Sequence, residues 1–194
     1  MAIFTEFTGV ILAGGQSRRM GRDKALLPLA GRTLLEHMQL LLRQAGVADI
    51  LISRNQPGFI TDSYPGKGPL AGLAAVLPHC TTPQMLVVPV DMPLLQPGLL
   101  RHLLTTASAG ESTGAWYFGE SPLPCVLPNI PQLADYLTAQ LESGQGDFSV
   151  RGLLRYLNAN ALAACDVLQL VNTNTPQQWQ QALMQRDQPD RLSL

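Results

Sequence analysis

The chain has 194 residues, of which 46% are hydrophobic and 14% charged, and its formal net charge at pH 7 is −1. This composition predicts a globular domain with a sizeable core, and the small net charge gives no general attraction to nucleic acid or to an anionic membrane. The three cysteines are isolated and odd in number, which argues against a disulfide framework. The chain shows no signal peptide and no apolar run of the roughly 18 residues that span a membrane, so we expect a cytoplasmic protein.

The first predicted element is a strand over residues 7–13, an apolar run that ends at Gly14 and Gly15. A short apolar run that stops at two glycines is typical of a buried strand rather than a helix. The loop after it concentrates positive charge, with four of the 13 Lys and Arg residues of the chain: Arg18, Arg19, Arg22 and Lys24. Glycine allows positive φ angles and lets backbone N–H groups converge on an anion, so this loop predicts a site for a phosphorylated ligand.

The loop matches neither of the two common phosphate-binding motifs. A Walker A loop requires G-x-x-x-x-G-K-[ST], whereas here Arg22 and Asp23 separate Gly21 from Lys24, and no Ser or Thr follows the lysine. The G-x-G-x-x-G fingerprint of dinucleotide-binding proteins is absent as well. The residues therefore predict phosphate binding by a loop of another class.

A second strand is predicted over residues 49–53, after a helix over residues 33–45. Thr33 and Glu36 have the spacing of a capping box at the start of that helix. His37 lies off the apolar stripe of the helix, and we expect it at the protein surface. A strand, a helix and a second strand in succession predict a parallel sheet with a right-handed crossover.

The next segment, residues 57–69, is rich in glycine and proline and contains Asp62. A small-residue helix follows from Gly68 to about Leu77, and its glycines would let the helix N-terminus approach a ligand closely. A third strand is predicted over residues 85–90.

Pro89 lies inside this third strand, and because proline cannot donate a ladder hydrogen bond we expect a bulge or a missing neighbour there. Asp91 follows at the strand end, where open α/β sheets bind ligands. A carboxylate at that edge can bind Mg²⁺ together with phosphate oxygens, and the alternative is an aspartate that caps a helix or a turn.

The rest of the chain predicts further alternating elements. Two short strands, 115–118 and 124–127, are expected to form a hairpin-like arm joined through residues 119–122. The remaining predictions are helices over 99–107, 131–141, 148–157 and 176–186, and a late strand over 166–171. This order predicts a single α/β domain over residues 1–186, Rossmann-like and doubly wound, with a mostly parallel sheet and helices on both faces. Residues 187–194 are expected to form a flexible tail.

Three motifs resemble one known family. The sequence L-A-G-G-x-S-x-R-M-G-x-D-K over residues 12–24, followed by A-L-L-P-L, is similar to the nucleotidyltransferase loop of molybdenum cofactor guanylyltransferases, the MobA family. Asp62 with G-P-L-A-G at 68–72, and N-x-N-T-P at 172–176, match the same family. The resemblance extends from about residue 8 to residue 186, and it is sparse between residues 109 and 164.

The resemblance implies transfer of GMP from GTP to molybdopterin (Mo-molybdopterin), which gives the guanine dinucleotide cofactor and pyrophosphate with Mg²⁺ as cofactor. The residues implied in catalysis are Lys24, Arg19 and Asp91, and Asp91 would also hold the metal. The residues implied to bind GTP are Leu12, Ala13, Gly14, Gly15, Lys24, Ser53, Asn55, Asp62 and Asp91. Those implied to meet molybdopterin are Pro122, Pro124, Asn172 and Asn174.

The sequence leaves several alternatives open. The family often has asparagine where this chain has Ser53, and capping or turn chemistry is an equal alternative for Asn174. The activity could instead be that of a molybdopterin cytidylyltransferase or a sugar-phosphate nucleotidyltransferase, although cytidylyl relatives tend to carry Leu-Ala-Ala-Gly where this chain has Leu-Ala-Gly-Gly. An inactive nucleotide-binding regulatory module is the alternative outside catalysis. The expected partners are GTP and molybdopterin, with transient contacts to other molybdenum cofactor biosynthesis proteins, and the oligomeric state is open.

Overall fold

The computed structural model describes residues 3–15, 20–110, 114–143 and 145–187. Within these residues the strands are β1 (Phe7–Leu12), β2 (Pro28–Leu29), β3 (Arg32–Thr33), β4 (Ile50–Ser53), β5 (Gln84–Pro89), β6 (Trp116–Phe118), β7 (Ser121–Pro128) and β8 (Asn160–Leu162). The helices are α1 (Leu34–Ala45), α2 (Gly68–Val76), α3 (Pro97–Ala109), α4 (Pro131–Glu142), α5 (Val150–Tyr156) and α6 (Pro176–Arg186). Short 3₁₀ turns occupy Lys24–Leu26, Leu77–His79 and Val167–Leu170.

A six-stranded sheet in the order β4-β1-β5-β7-β6-β8 runs through the centre of the chain. Strand β1 pairs in parallel with β4 and β5, β8 pairs in parallel with β6, and β7 is antiparallel to both of its neighbours. Five strands therefore point one way and only β7 is reversed, which confirms the mostly parallel sheet. Strands β2 and β3 form a separate small ribbon.

Helices cover both faces of this sheet, as the doubly wound architecture predicts. Alternate residues of each strand point to opposite faces, so Ile11 and Leu86 join one core cluster while Val10 and Val87 join the other. The first cluster contains buried residues of α1, α3 and α6, and the second contains buried residues of α2, α4 and α5. No helix of the described chain is long and apolar enough to cross a membrane.

The first crossover follows its sequence signals closely. The Thr33 side chain accepts a hydrogen bond from the Glu36 backbone N–H, and the Glu36 side chain accepts one from the Thr33 backbone in return, which confirms the capping box. Gly46 ends α1 in the left-handed region at φ 104°, where a residue without a Cβ is favoured. The crossover then returns the chain into β4, parallel to β1.

Pro89 also occupies the position that its missing N–H allows. The pairing of β5 with β7 ends at Val87 opposite Cys125, whereas its pairing with β1 continues to Pro89 opposite Leu12. The Val90 N–H donates to the Leu12 carbonyl, so the nitrogen of the preceding residue faces the side on which β7 has ended. The predicted missing neighbour is therefore confirmed.

One predicted element of the later chain was wrong, and one strand was not predicted. Residues 167–170 form a 3₁₀ turn instead of a strand, because the Asp166 side chain accepts a hydrogen bond from the Leu168 N–H and caps the turn. The apolar residues Val167 and Val171 that suggested a buried strand are exposed. The last strand of the sheet is β8, which is three residues long and has no apolar run from which a strand could be predicted.

The expected hairpin-like arm is part of the main sheet. Strand β7 begins at Ser121, so Ser121 and Pro122 lie in the strand and only Gly119 and Glu120 connect it to β6. Both strands are central, between β5 and β8. The predicted flexible tail lies outside the described residues, except for Asp187, whose N–H donates to the Leu183 carbonyl at the end of α6.

The expected surface position of His37 was only partly right. Its side chain is half-buried, and its Nε2 atom is buried with no hydrogen-bond partner in the part of the chain that the structure describes. Burial lowers the pKa of His37, and the positive charges of Arg186 and Arg32 lower that pKa further.

Protonation of His37 is expected to destabilise the fold in mild acid. Because its pKa is lower in the folded state than the unfolded value of about 6.5, the unfolded chain binds more protons in that range, and stability falls as the pH drops below about 6.5. We expect His37→Gln to flatten the decline in the free energy of unfolding, measured by urea denaturation between about pH 5 and pH 8. The exposed Gln44→Ala on the same helix is the control, and an unchanged decline in His37→Gln would contradict this origin.

Candidate functional site

A cleft of about 610 Å³ opens at the carboxyl ends of β1, β4 and β5. All residues that the resemblance implies for GTP binding line it: Leu12, Ala13, Gly14, Gly15, Lys24, Ser53, Asn55, Asp62 and Asp91. They come together because neighbouring parallel strands end at the same edge of a sheet. The two glycines after β1, the lysine of the basic loop and the aspartate after β5 therefore share one cavity.

Lys24 and Asp91 form an ion pair inside this cleft. Lys24 Nζ donates to Asp91 Oδ2 at 2.9 Å, and the two side chains are only 13% and 18% exposed. Lys24 Nζ also donates to Asn174 Oδ1 at 2.7 Å, which ties the segment before α6 to the first loop. Thr173 reinforces this link, since its N–H and its hydroxyl both donate to the Asp91 carbonyl.

The turn that carries Lys24 is held by an aspartate that the predicted site did not include. Asp23 Oδ1 accepts a hydrogen bond from the Ala25 N–H at 3.0 Å, so Asp23 caps the short 3₁₀ turn. Its other oxygen, Oδ2, accepts one from Arg54 Nη2 at 2.6 Å. Asp23 lines the cleft beside Lys24. The only sequence signal for it was its place directly before the lysine in G-x-D-K.

Asn55 and Asp62 form a reciprocal pair on the β4 side of the cleft. Asn55 Nδ2 donates to Asp62 Oδ2 at 2.7 Å, and the Asp62 N–H donates to Asn55 Oδ1 at 3.0 Å. The remaining carboxylate oxygen, Asp62 Oδ1, is buried and has no hydrogen-bond partner among the described residues. A buried acceptor without a partner is costly, so this oxygen is well placed to accept hydrogen bonds from a ligand.

Glycines bring the N-terminal part of α2 close to the strand ends. Gly66 and Gly68 have φ angles of 80° and 66°, in the region that favours glycine. A Cβ at Gly72 would lie 2.7 Å from Ser53 Oγ and 3.1 Å from Leu12 Cδ2. The helix can approach the wall of the cleft only because Gly72 lacks a side chain.

The residues expected to meet molybdopterin are less completely assembled. Asn174 reaches the cleft through Lys24, but Asn172, Pro122 and Pro124 do not line it. Leu123, between the two prolines on β7, does line it. Arg19 lies outside the described residues, so its predicted role has no structural account.

The site and the sheet together have the architecture of a nucleotidyltransferase. The fold is shared with a nucleotidyl transferase from Methanothermobacter thermautotroptrophicus, at a TM-score of 0.69 and 20% identity over 92% of this chain and 96% of that one. It is shared also with the molybdopterin-guanine dinucleotide biosynthesis protein A of Archaeoglobus fulgidus, at a TM-score of 0.70 and 22% identity over 92% and 99% of the two chains. At these identities the likeness establishes the fold.

Sequence comparison identifies the family. The family model described as "MobA-like NTP transferase domain" matches residues 9–163, and the chain belongs to this family. It is 40% identical to the molybdenum cofactor guanylyltransferase of Xanthomonas euvesicatoria pv. vesicatoria (strain 85-10), over 98% of this chain and 100% of that one. It is 36% identical to the molybdenum cofactor guanylyltransferase of Shewanella sp. (strain MR-4), over 90% and 94% of the two chains. The resemblance stated from the motifs is confirmed.

A methyl group at position 72 is expected to damage the cleft. Gly72→Ala must displace Ser53 and Leu12, so we expect a loss of about 1–3 kcal/mol in the free energy of unfolding, the usual scale of overpacking. Affinity for a nucleoside triphosphate should fall with it, because both displaced residues line the cavity. The measurements are urea denaturation and calorimetric titration of the nucleotide.

Gly98→Ala is the matched control for this prediction. Gly98 also lies in a helix, α3, but it is exposed and would place its Cβ in open space. We expect no loss of stability, or a gain of up to about 1 kcal/mol from the stiffer unfolded chain. Equal stability and equal affinity in both alanine variants would show that the approach of α2 to the cleft does not depend on Gly72.

Proposed function

We propose that this protein is a molybdenum cofactor guanylyltransferase, which transfers GMP from GTP to the terminal phosphate of molybdopterin. The observation that carries the proposal is that Lys24 Nζ and Asp91 Oδ2 lie 2.9 Å apart in the cleft that Gly14 and Gly15 also line. The similarity along almost the whole chain to proteins named molybdenum cofactor guanylyltransferase supports the choice of substrates. Such an enzyme would act in the cytoplasm, where GTP is available.

The reaction needs positioning more than acid–base chemistry. A phosphate oxygen of molybdopterin attacks the α-phosphorus of GTP, and the bond from that phosphorus to the oxygen of the β-phosphate breaks, which releases pyrophosphate. The nucleophile is already an anion, so no strong general base is required. Catalysis then consists of bringing two anions together and stabilising the charge that spreads over the α-phosphate.

Within this reaction Lys24 would bind the phosphate oxygens of GTP. Its ammonium group already lies in the cleft between a carboxylate and an amide, so it needs little reorganisation to meet a phosphate. Asn174 holds the lysine by a hydrogen bond and would keep it directed towards the acceptor side. Arg19, from the same basic loop, would add a second positive charge.

Asp91 would hold a magnesium ion. Among the residues that the structure describes, no group of three or more His, Cys, Asp or Glu side chains could hold a metal. A single carboxylate in the cleft fits Mg²⁺ nevertheless, since this ion keeps several waters and takes its other ligands from substrate phosphates. When bound, magnesium would supply positive charge at the triphosphate, and Asp91 would fix its place beside Lys24.

The nucleoside part of GTP would occupy the wall formed by β1, β4 and α2. Backbone groups of residues 12–15 would hold the base and the ribose phosphate. Asp62, oriented by Asn55, presents one buried carboxylate oxygen that can accept hydrogen bonds from the N–H groups of guanine. Ser53, which stands where the family often has asparagine, is buried beside Gly72. The side-chain amide at this edge of the cleft would therefore be that of Asn55.

Removal of either charged residue is expected to abolish most of the activity. Lys24→Ala and Asp91→Ala should each lower turnover by roughly 10²-fold or more, the scale for losing one main electrostatic group. Pyrophosphate release with GTP, Mg²⁺ and molybdopterin is the measurement, and the exposed Arg43→Ala on α1 is a control for loss of a positive charge elsewhere. Normal turnover in both site variants would contradict the assignment.

Nucleotide specificity gives a second, independent check. Calorimetric titrations with GTP, CTP and UTP in the presence of Mg²⁺ should show GTP binding at least about tenfold more tightly than the others, a difference of about 1.4 kcal/mol. Tighter binding of CTP would favour a molybdopterin cytidylyltransferase instead. Tight GTP binding without pyrophosphate release would indicate a regulatory nucleotide-binding module.

A further inference from the structure

Lys24 is carried by a local structure that is weak by itself. The turn Lys24–Leu26 is a single 3₁₀ turn, closed by hydrogen bonds from Leu26 N–H to the Asp23 carbonyl and from Leu27 N–H to the Lys24 carbonyl. Turns of this length have poor hydrogen-bond geometry and gain nothing from helix cooperativity. The direction of the lysine side chain must therefore be fixed from outside the turn.

Arg54, which lies 31 positions after Asp23 in the chain, supplies that support. Its Nη2 atom donates to Asp23 Oδ2 at 2.6 Å, while the other oxygen of Asp23 caps the turn, so both oxygens of this carboxylate are occupied. A short charge-assisted bond of this kind is about twice as strong as one between neutral groups. Breaking it would leave the Arg54 charge buried and uncompensated, because the residue is only 7% exposed.

Arg54 is itself fixed at the end of the sheet. It directly follows β4, and its backbone N–H donates to the Ile60 carbonyl at 2.9 Å. Its backbone carbonyl accepts from the Gln56 N–H at 2.8 Å, and its guanidinium carbon lies 5.2 Å from the centre of the Phe59 ring. An arginine held at both its backbone and its guanidinium group is a rigid anchor for Asp23.

The pair also neutralises a negative charge next to the cleft. Asp23 lines the cavity and its side chain is 39% exposed, so without a partner it would place a second negative charge beside an incoming triphosphate. Arg54 neutralises that charge although it does not itself line the cavity. Its influence on a substrate would pass through Asp23 and the turn.

We propose that Arg54 is a positioning residue of this site: through its ion pair with Asp23 it fixes the turn that directs Lys24 Nζ into the cleft beside Asp91. This proposal rests on the proposed function, in which Lys24 binds the phosphates of GTP. It assigns to the β4 side of the sheet a role in phosphate binding, although β4 ends on the opposite side of β1 from Asp91.

A double-mutant cycle with Lys24 tests the proposal. Arg54→Met keeps the length and the apolar contact with Phe59 but removes the charge, and it should lower kcat/KM for GTP about tenfold or more in the wild-type background. In the Lys24→Ala background the same change should alter kcat/KM less than about twofold, because there is no lysine left to position. Arg54→Lys should restore part of the loss.

Two results would contradict the positioning role of Arg54. A similar loss from Arg54→Met in both backgrounds would show a general structural role and overturn the proposal, as would wild-type kinetics in Arg54→Met. Arg155→Met is the matched control, since it breaks the exposed Arg155–Asp147 pair at 3.1 Å, and it should leave the kinetics unchanged. If Arg54→Met does not fold, Asp23→Asn, which keeps an oxygen for the cap, replaces it in the cycle.

Failure of the proposed function gives a separate signature. If the wild-type protein releases no pyrophosphate from GTP with molybdopterin, the guanylyltransferase assignment fails, and the same cycle is then read from the dissociation constants of Mg²⁺–GTP. Coupling between the two positions in those constants would still support the positioning role of Arg54. Absence of any nucleotide binding in the wild-type protein would overturn both proposals.

Discussion

The register between β1 and β5 is the constraint on which the site depends. Leu12 pairs with Pro89, and the Val90 N–H donates to the Leu12 carbonyl one step beyond the last paired residues. The two strands therefore leave the sheet side by side, β1 into Gly14 and Gly15 and β5 towards Asp91. A shift of two residues along either strand would keep every side chain on its correct face, yet it would move the two glycines and the carboxylate apart by about 7 Å. The proposed site therefore depends on this register. The pairing of β5 with β7 ends at Val87, two residues before Pro89, which lines the cleft.

Two ion pairs hold charged residues that line the cleft, Lys24 with Asp91 and Arg54 with Asp23. The pairs have different environments, and this difference separates their roles. Arg54 is almost fully buried and makes its pair at the base of a loop, so its charge is fixed and inaccessible. Lys24 and Asp91 both line the cavity, so in the proposed reaction a triphosphate and its metal would exchange partners with them. A protein with a net charge of only −1 can bind a polyanion in this way because the local field depends on where the cations are held.

Sequence reasoning predicted the amino-terminal half well because its signals are local. The capping box at Thr33, the glycines after β1 and the aspartate after β5 each depend on a few adjacent residues, and each lies where it was expected. The later chain was harder, since the 3₁₀ turn at Val167–Leu170 has the apolar composition of a strand and β8 lacks that composition. The Arg54–Asp23 pair could not be predicted from the sequence for a different reason. A contact between residues 31 positions apart leaves no periodicity in the sequence. Only the packing of the loop after β1 against the end of β4 creates it.

The reversed strand β7 explains why the two sides of the cleft differ in how readily they can be recognised. On the side of β4, β1 and β5 all strands end at the same edge, so most residues that line the cleft there come from the segments that follow these strands, which carry recognisable motifs. Strand β7 instead begins at this edge and contributes Leu123, a side chain from within a strand. The polar contact nearest to that side comes from the carboxyl-terminal segment, where Asn174 accepts a hydrogen bond from Lys24. In the proposed reaction the same lysine would then meet the donor phosphates from the amino-terminal side and be oriented from the acceptor side. Lys24 and Asn174 are 150 residues apart in the chain, so their hydrogen bond can form only once the whole domain has folded.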